Sequence, residues 1–305
     1  MLATLADPIL PVFMVMAAGY LLRRTGVMEA EHAGIINRYA FYLAVPALIV
    51  SVVATTPFLQ IEWRAVAVYS SLQVGLALAG FAVLRLLFRI EMREAVLLGM
   101  ATSFVNHVFF VLPIAERLVG PDAAMPMAGI VMVDAGFIFP MSVLLVARLS
   151  GGRTGQGRLA GLLFRNPFVY ASPIGVAIGL MGDAAPAGLM TFMTFAGGSA
   201  APVLLFTLGI TLAGSSLLRT GGAVWTVVGL KLLAHPVLVG SGLAVVGASA
   251  FTGDITLLVA AGPCGAMPFV IATQYGVATE RLAKVVLIST LLSILSLAYL
   301  TLRFV

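Results

Sequence analysis

Charged side chains are scarce. Asp, Glu, Lys and Arg together make up 10% of the 305 residues, against 61% hydrophobic. No water-soluble domain has that balance, so the chain is built for a bilayer. Long polar segments are also missing. The longest polar connection, SGGRTGQGRLAGLLFRN over about 150–166, is too short for a soluble domain. A single cysteine, Cys264, excludes an intramolecular disulfide. No Lys or Arg precedes the first apolar run, MLATLADPILPVF. A secretory signal peptide usually has a basic start, so this run is expected to stay as a span. GxSxG and HExxH are absent, and the three His residues are not spaced as metal ligands. Hydrolase chemistry is therefore not expected, nor is a metal or other cofactor.

What is present is apolar sequence in lengths that suit a membrane. A helical span needs roughly 20 mainly apolar residues. Ten candidates lie at about 8–23, 34–54, 64–88, 94–118, 123–148, 167–182, 187–213, 222–248, 254–276 and 281–303. Basic residues segregate between the loops of the two sides. Thirteen of the 17, from Arg23 and Arg24 to Arg281 and Lys284, fall on one side, while Arg64, Arg117 and Arg303 fall on the other. Lys231 lies inside a span. This excess of basic residues over the 12 acidic ones does not indicate nucleic acid, because it is spread over short loops in the pattern that orients spans. The basic side is read as cytoplasmic. With ten spans both termini are then outside a plasma (cell inner) membrane.

The two halves echo each other. Pro46 and Pro202 are 156 residues apart, Gly120 and Gly276 are also 156 apart, and Pro8 and Pro167 are 159 apart. Each half, about 1–150 and 151–305, holds five spans. An odd number forces the second half to run inverted through the membrane. Inverted repeats with interrupted helices characterise secondary transporters.

Two spans at matching positions are interrupted. Span 4 contains SFVNHVFFVLPIAERLVG, and span 9 contains VAAGPCGAMPFVIATQYG. A proline inside a helix removes one backbone hydrogen bond and crowds the preceding turn. In lipid the freed carbonyls must find protein or cavity water. New half-helices are expected to start near Pro113 and near Ala266–Pro268, with their N–H ends facing the bilayer centre. Helix N-termini favour negative charge, so an anion site is expected there. Asn106 is placed to reach it, and Pro263, Cys264, Gly265 and Met267 line the second break. His107 is read either as a helix–helix hydrogen bond or as a substrate or proton contact. Asp134, in VMVDAGFIFP near the middle of span 5, is a functional candidate because intramembrane carboxylates are expensive. It is either an ion-coupling group or the structural partner of Lys231. His235, Glu116 and Arg117 are read as packing or solvated residues.

These residues resemble the auxin efflux carrier family of permeases, within the bile-acid and sodium/proton-antiporter-like group. INRYAFYLAVPALIV, NHVFFVLPIAERLVG, NPFVYASPIG, SAAPVLLFTLGITLA, KLLAHP and PCGAMPFVIATQYG carry the likeness. The resemblance implies an all-α membrane protein of ten helices in two inverted five-helix repeats, with broken helices 4 and 9 crossing. It implies a scaffold of spans 1, 2, 6 and 7 and a transport domain of spans 3–5 and 8–10. It also implies a homodimer through spans 2 and 7. Members carry organic anions, from indole acetate to malate- or malonate-like dicarboxylates. Asn106 and Pro113 match the first crossover of the family and Pro263 the second. His107, Val108, Val111, Met267 and Pro268 depart from it, which implies a smaller or more apolar ligand space. The function read from the sequence is secondary active transport of a small carboxylate by elevator-like alternating access. The alternative is a cation/proton exchanger with Asp134 as its ion site.

Overall fold

The computed structural model describes residues 2–56, 58–150, 167–214 and 220–302. The connection at 150–166 and the basic residues Arg153, Arg158, Arg165, Arg219 and Arg303 therefore lie outside the described residues, apart from Ser150. Every described element is helical. The helices are α1 (Leu2–Arg24), α2 (Ala30–Ala54), α3 (Trp63–Leu86), α4 (Met92–Ala101), α5 (Leu112–Val119) and α6 (Ala124–Ser150). They continue as α7 (Pro167–Met181), α8 (Ala187–Ala213), α9 (Gly222–Val246), α10 (Ala250–Ala261), α11 (Met267–Gln274) and α12 (Glu280–Thr301). Each apolar run of the sequence falls on one of these helices, or on a pair of them at the two interruptions. Among the described residues six helices are long and apolar enough to cross a membrane unaided: α2, α3, α6, α8, α9 and α12. Large apolar side chains point outward, among them Leu78, Leu180, Phe195, Val245 and Leu295. That is the surface hydrocarbon demands.

Proline shapes these helices in a way that periodicity does not show. Four π-helical turns cover Ala40–Ala44, His107–Val111, Asp134–Ile138 and Leu230–Ala234. Each ends two residues before a proline: Pro46, Pro113, Pro140 and Pro236. The proline ring would collide with the carbonyl four residues earlier, and the wider turn makes room for it. Asp134 and His107 are each the first residue of such a turn, and Lys231 lies within one.

α1 and α2 pack on α8, and α7 packs on α2. α3 packs on α4 and α9, α10 on α9, α6 and α12, and α11 on α4. The α1–α8 crossing is close because of two glycines. A Cβ on Gly19 would lie 2.1 Å from the Phe206 carbonyl oxygen, and one on Gly209 would lie 2.0 Å from that of Met16. Thr207 Oγ1 donates to Asn37 Oδ1 at 2.7 Å and ties α8 to α2.

Polar braces stand at the helix ends. Arg281 donates to both carboxylate oxygens of Glu94 at 2.8 Å, linking the starts of α12 and α4. Glu62, just before α3, accepts from the Ser249 backbone N–H at 3.1 Å and from its hydroxyl at 2.8 Å. Partial burial pushes the Glu62 pKa up, but hydrogen bonds from Thr252 and Ser249 and the charge of Arg64 outweigh it. The net pKa is below the ordinary 4.5. A lowered carboxylate pKa adds stability above the unfolded pKa, and that stability is lost as pH falls through the folded value. Glu62→Gln is thus expected to lower the melting temperature near neutral pH. The difference should close in acid below about pH 4, a trend that paired thermal melts across pH would show.

Candidate functional site

The site is built around the break in span 4, which falls earlier than the proline suggests. α4 ends at Ala101, Thr102 and Ser103 form a turn, and Phe104–Asn106 leaves the helix as a short non-helical segment. Thr102 Oγ1 donates to the Gly99 carbonyl at 2.7 Å and lies 3.2 Å from that of Leu76. Ser103 Oγ donates to the Gln73 carbonyl at 2.9 Å. Such side-chain bonds to backbone compete with helix continuation. The second half starts at His107, not at Pro113, and Pro113 only widens its first turn. In span 9 the break runs from Gly262 to Ala266, and α11 starts at Met267 with Pro268 in its first turn. The start expected at Ala266–Pro268 is where the helix begins. Pro268 occupies in α11 the second position, as Pro113 does in α5.

The two extended segments pair antiparallel, Val105 opposite Cys264. Asn106 N–H donates to the Pro263 carbonyl at 3.0 Å, and Gly265 N–H to that of Phe104 at 3.1 Å. Backbone groups freed by each break are thus satisfied by the other. Gly265 is needed for this approach, since a Cβ there would lie 2.9 Å from both Phe104 Cδ1 and the Val105 oxygen.

A cavity of about 90 Å³ lies beside this crossing. One wall is Asn106, His107, Gly265 and Met267 of the crossover with Asp134 of α6, and the other is Leu48 and Ile49 of α2 with Ala201 and Leu204 of α8. His107 Nε2 stands 2.7 Å from Asp134 Oδ2, both side chains buried. His107 Nε2 and both Asp134 oxygens are buried, and beyond this close approach none of the three has an aligned hydrogen bond. The Phe104 ring stands edge-to-face with His107, centroids 5.8 Å apart.

Five expected site residues thus come together: Asn106, His107, Asp134, Gly265 and Met267. Four do not line the cavity. Pro113 lies beyond the π turn. Pro263 and Cys264 are fully engaged in the crossing, with Cys264 N–H donating to Ser289 Oγ at 3.1 Å. Lys231 is fully buried behind it, donating to the Ala260 carbonyl at 2.7 Å, with His235 Nδ1 at 3.2 Å. The alternative in which Asp134 pairs with Lys231 is not formed, because His107 takes the carboxylate and the Ala260 carbonyl of α10 takes the ammonium. The walls from α2 and α8 were missed, since aliphatic residues on a span carry no mark of facing a site. Among the described residues no His, Cys, Asp or Glu cluster could hold a metal.

Apolar helices interrupted at mid-length around a small cavity that holds ionisable groups are the architecture of a multi-pass membrane transporter. The chain belongs to the Membrane transport protein family, whose model matches residues 4–155 and 159–301. The auxin efflux carrier resemblance is thereby borne out. A relative named "Putative malonate transporter" from Rhizobium meliloti (strain 1021) is 31% identical over 302 residues, covering 96% of this chain and 93% of its own. An uncharacterized transporter of Methanothermobacter thermautotrophicus is 26% identical, with 95% of each chain covered. Among solved structures, the sodium proton antiporter MjNhaP1 from Methanocaldococcus jannaschii superposes with a TM-score of 0.59 at 14% identity, over 95% of this chain and 92% of that one. That likeness concerns the fold.

Proposed function

We propose that the protein is a secondary active transporter of a small organic anion, a carboxylate such as a dicarboxylate, working by elevator-like alternating access in the plasma membrane. The observation that carries this reading is the cavity itself. It lies between the α2/α8 wall and the crossover, with the buried His107–Asp134 pair among its lining residues. Its 90 Å³ is far below the roughly 300–1,000 Å³ of sites for drug-sized ligands, so its ligand is small. The first turns after both breaks, at His107 and Met267, border it and supply partial positive charge. The name of the Rhizobium relative makes malonate the first substrate to try.

In this reading the ten helical runs are ten crossings in two inverted halves, with both termini outside. The positive-φ glycines Gly120 and Gly276, each within two residues of the end of α5 or α11, support the repeat. Spans 1, 2, 6 and 7 are the scaffold, with spans 2 and 7 as the homodimer contact, and spans 3–5 and 8–10 carry the substrate. A second reading, a cation/proton exchanger with Asp134 as ion site, is favoured by the buried carboxylate and by the antiporter-like fold. Proton-driven ion flux in proteoliposomes without any organic anion would select it.

Asn106 tests the anion reading. Its backbone makes the crossover bond, which any residue except proline retains, while its side chain makes no capping bond to the helix that follows. Asn106→Ala is therefore expected to fold with unchanged melting behaviour and to lose malonate binding by about ten-fold or more, the worth of one charge-assisted hydrogen bond. Unaltered affinity for every accepted anion would sink this assignment.

A further inference from the structure

α3 carries a second polar feature that the central cavity does not use. Gln73 is the eleventh of the 24 residues of Trp63–Leu86, and so lies at mid-depth if α3 spans the membrane. It is 1% exposed, and neither its Nε2 nor its Oε1 has a hydrogen-bond partner. Gln73 lines a groove of about 470 Å³ between α3, α4 and the later part of α6. The other walls are mainly apolar, with Leu78 and Phe81 from α3, Met100 from α4, and Phe137 and Met141 from α6, while the hydroxyls of Ser103 and Ser142 are spent on the Gln73 and Ile138 backbone carbonyls. Leu78 is 63% exposed, Phe137 56% and Met141 49%, so the groove opens sideways, toward hydrocarbon. Phe104 closes its inner end and also borders the central cavity, so one residue separates the two spaces.

We infer that this groove is a second binding site, for an uncharged carboxylic acid with an apolar tail that reaches it from within the membrane. The chemistry of the amide selects the head group. A primary amide offers donors and an acceptor side by side, and a protonated carboxyl offers one of each at matching spacing. The two close a ring of two hydrogen bonds. A carboxylate has no donor for Oε1 and carries a charge that the hydrocarbon excludes. An ester has no donor either, and the acyl chain of a phospholipid satisfies neither amide atom. The volume lies within the range of sites for molecules of drug or fatty-acid size. The apolar walls take the tail. This site differs from the central cavity in opening, size and polar group, and stands or falls independently of it.

Photolabelling of the full chain in lipid nanodiscs tests the inference. The probe is a decanoic acid bearing a diazirine at its tail, compared with its methyl ester, at about pH 5 and about pH 8, either side of the range where a membrane-held carboxyl loses its proton. Val245 on α9, 87% exposed on a different surface, reports partitioning alone. Relative to Val245, labelling near Met100 and Met141 is expected to be about five-fold stronger for the acid at low pH than for the ester, the size of one to two net hydrogen bonds. Gln73→Met, which keeps the side-chain volume, is expected to bring the acid down to the ester's level. Equal labelling by acid and ester, or labelling that Gln73→Met leaves unchanged, would reduce the groove to ordinary contact with lipid chains. Should the variant fail to fold, the acid-to-ester ratio on the unmodified protein decides alone.

Discussion

Asp134→Asn is expected to lose malonate accumulation driven by a proton gradient. The cavity is small and mostly apolar, and Asp134 and His107 are its ionisable side chains. Two negative charges about 4 Å apart at an effective dielectric near 20 repel by about 4 kcal/mol, roughly a thousand-fold in affinity. On the proposed anion reading, the Asp134 charge must be neutralised for the anion to enter, and His107 Nε2, 2.7 Å from Asp134 Oδ2, stands where it can share the neutralising proton. Carriage of the anion then carries the proton. One proton per cycle supports about ten-fold accumulation for each pH unit. Asparagine keeps the shape but removes the carboxylate whose charge makes anion entry depend on a proton, so the variant should equilibrate substrate without concentrating it. The other titratable groups near the pair are Tyr69 of α3 and His235 and Lys231 of α9, which lie behind the cavity wall and are unchanged in the variant. Labelled malonate uptake into proteoliposomes, acidic outside, makes the measurement. Full accumulation by Asp134→Asn would remove Asp134 from coupling. Loss of proton-driven cation flux with unaltered anion uptake would favour the exchanger.

The helices were legible because hydrocarbon leaves few choices. An apolar run of about 20 residues must close its own backbone bonds, so length alone locates it. The crossover was legible only in outline. Paired interruptions in spans 4 and 9 were visible, but proline was taken as the break in span 4. The structure assigns that role to Thr102 and Ser103, whose hydroxyls reach α3 carbonyls. That signal was present as two small hydroxyl residues before an extended stretch. The π turns were also present, as a spacing of six between the first residue of each turn and its proline, His107 to Pro113 and Asp134 to Pro140 among them. What no local pattern carries is the meeting of His107 with Asp134. They are 27 positions apart on different spans, and their contact depends on how the crossover packs on α6. Lys231 was attractive as a partner on charge alone, but distance and the open carbonyls of α10 decide otherwise.

Lys231 accordingly yields the largest effect expected on stability. Its ammonium is fully buried and donates to the carbonyl of Ala260, next to the last residue of α10. A helix C-terminus carries partial negative charge, and this one ends inside the protein where water does not reach it. Lys231→Ala leaves that carbonyl short of its charged donor and opens a void the size of three methylenes and the ammonium beside it. The expected loss is about 3–5 kcal/mol, which should lower the melting temperature sharply. Lys231→Met keeps the volume and removes only the charge. His235 Nδ1, already 3.2 Å from the same carbonyl, can turn its proton toward it in the appropriate tautomer. The cost should then drop to about 1–2 kcal/mol. Thermal melts in detergent are expected to rank the native chain above Lys231→Met and both above Lys231→Ala. A folded Lys231→Met that still concentrates malonate on a pH gradient makes this lysine a brace of the crossover. One that melts like the native chain yet no longer concentrates malonate makes it part of the coupling machinery and overturns the structural assignment.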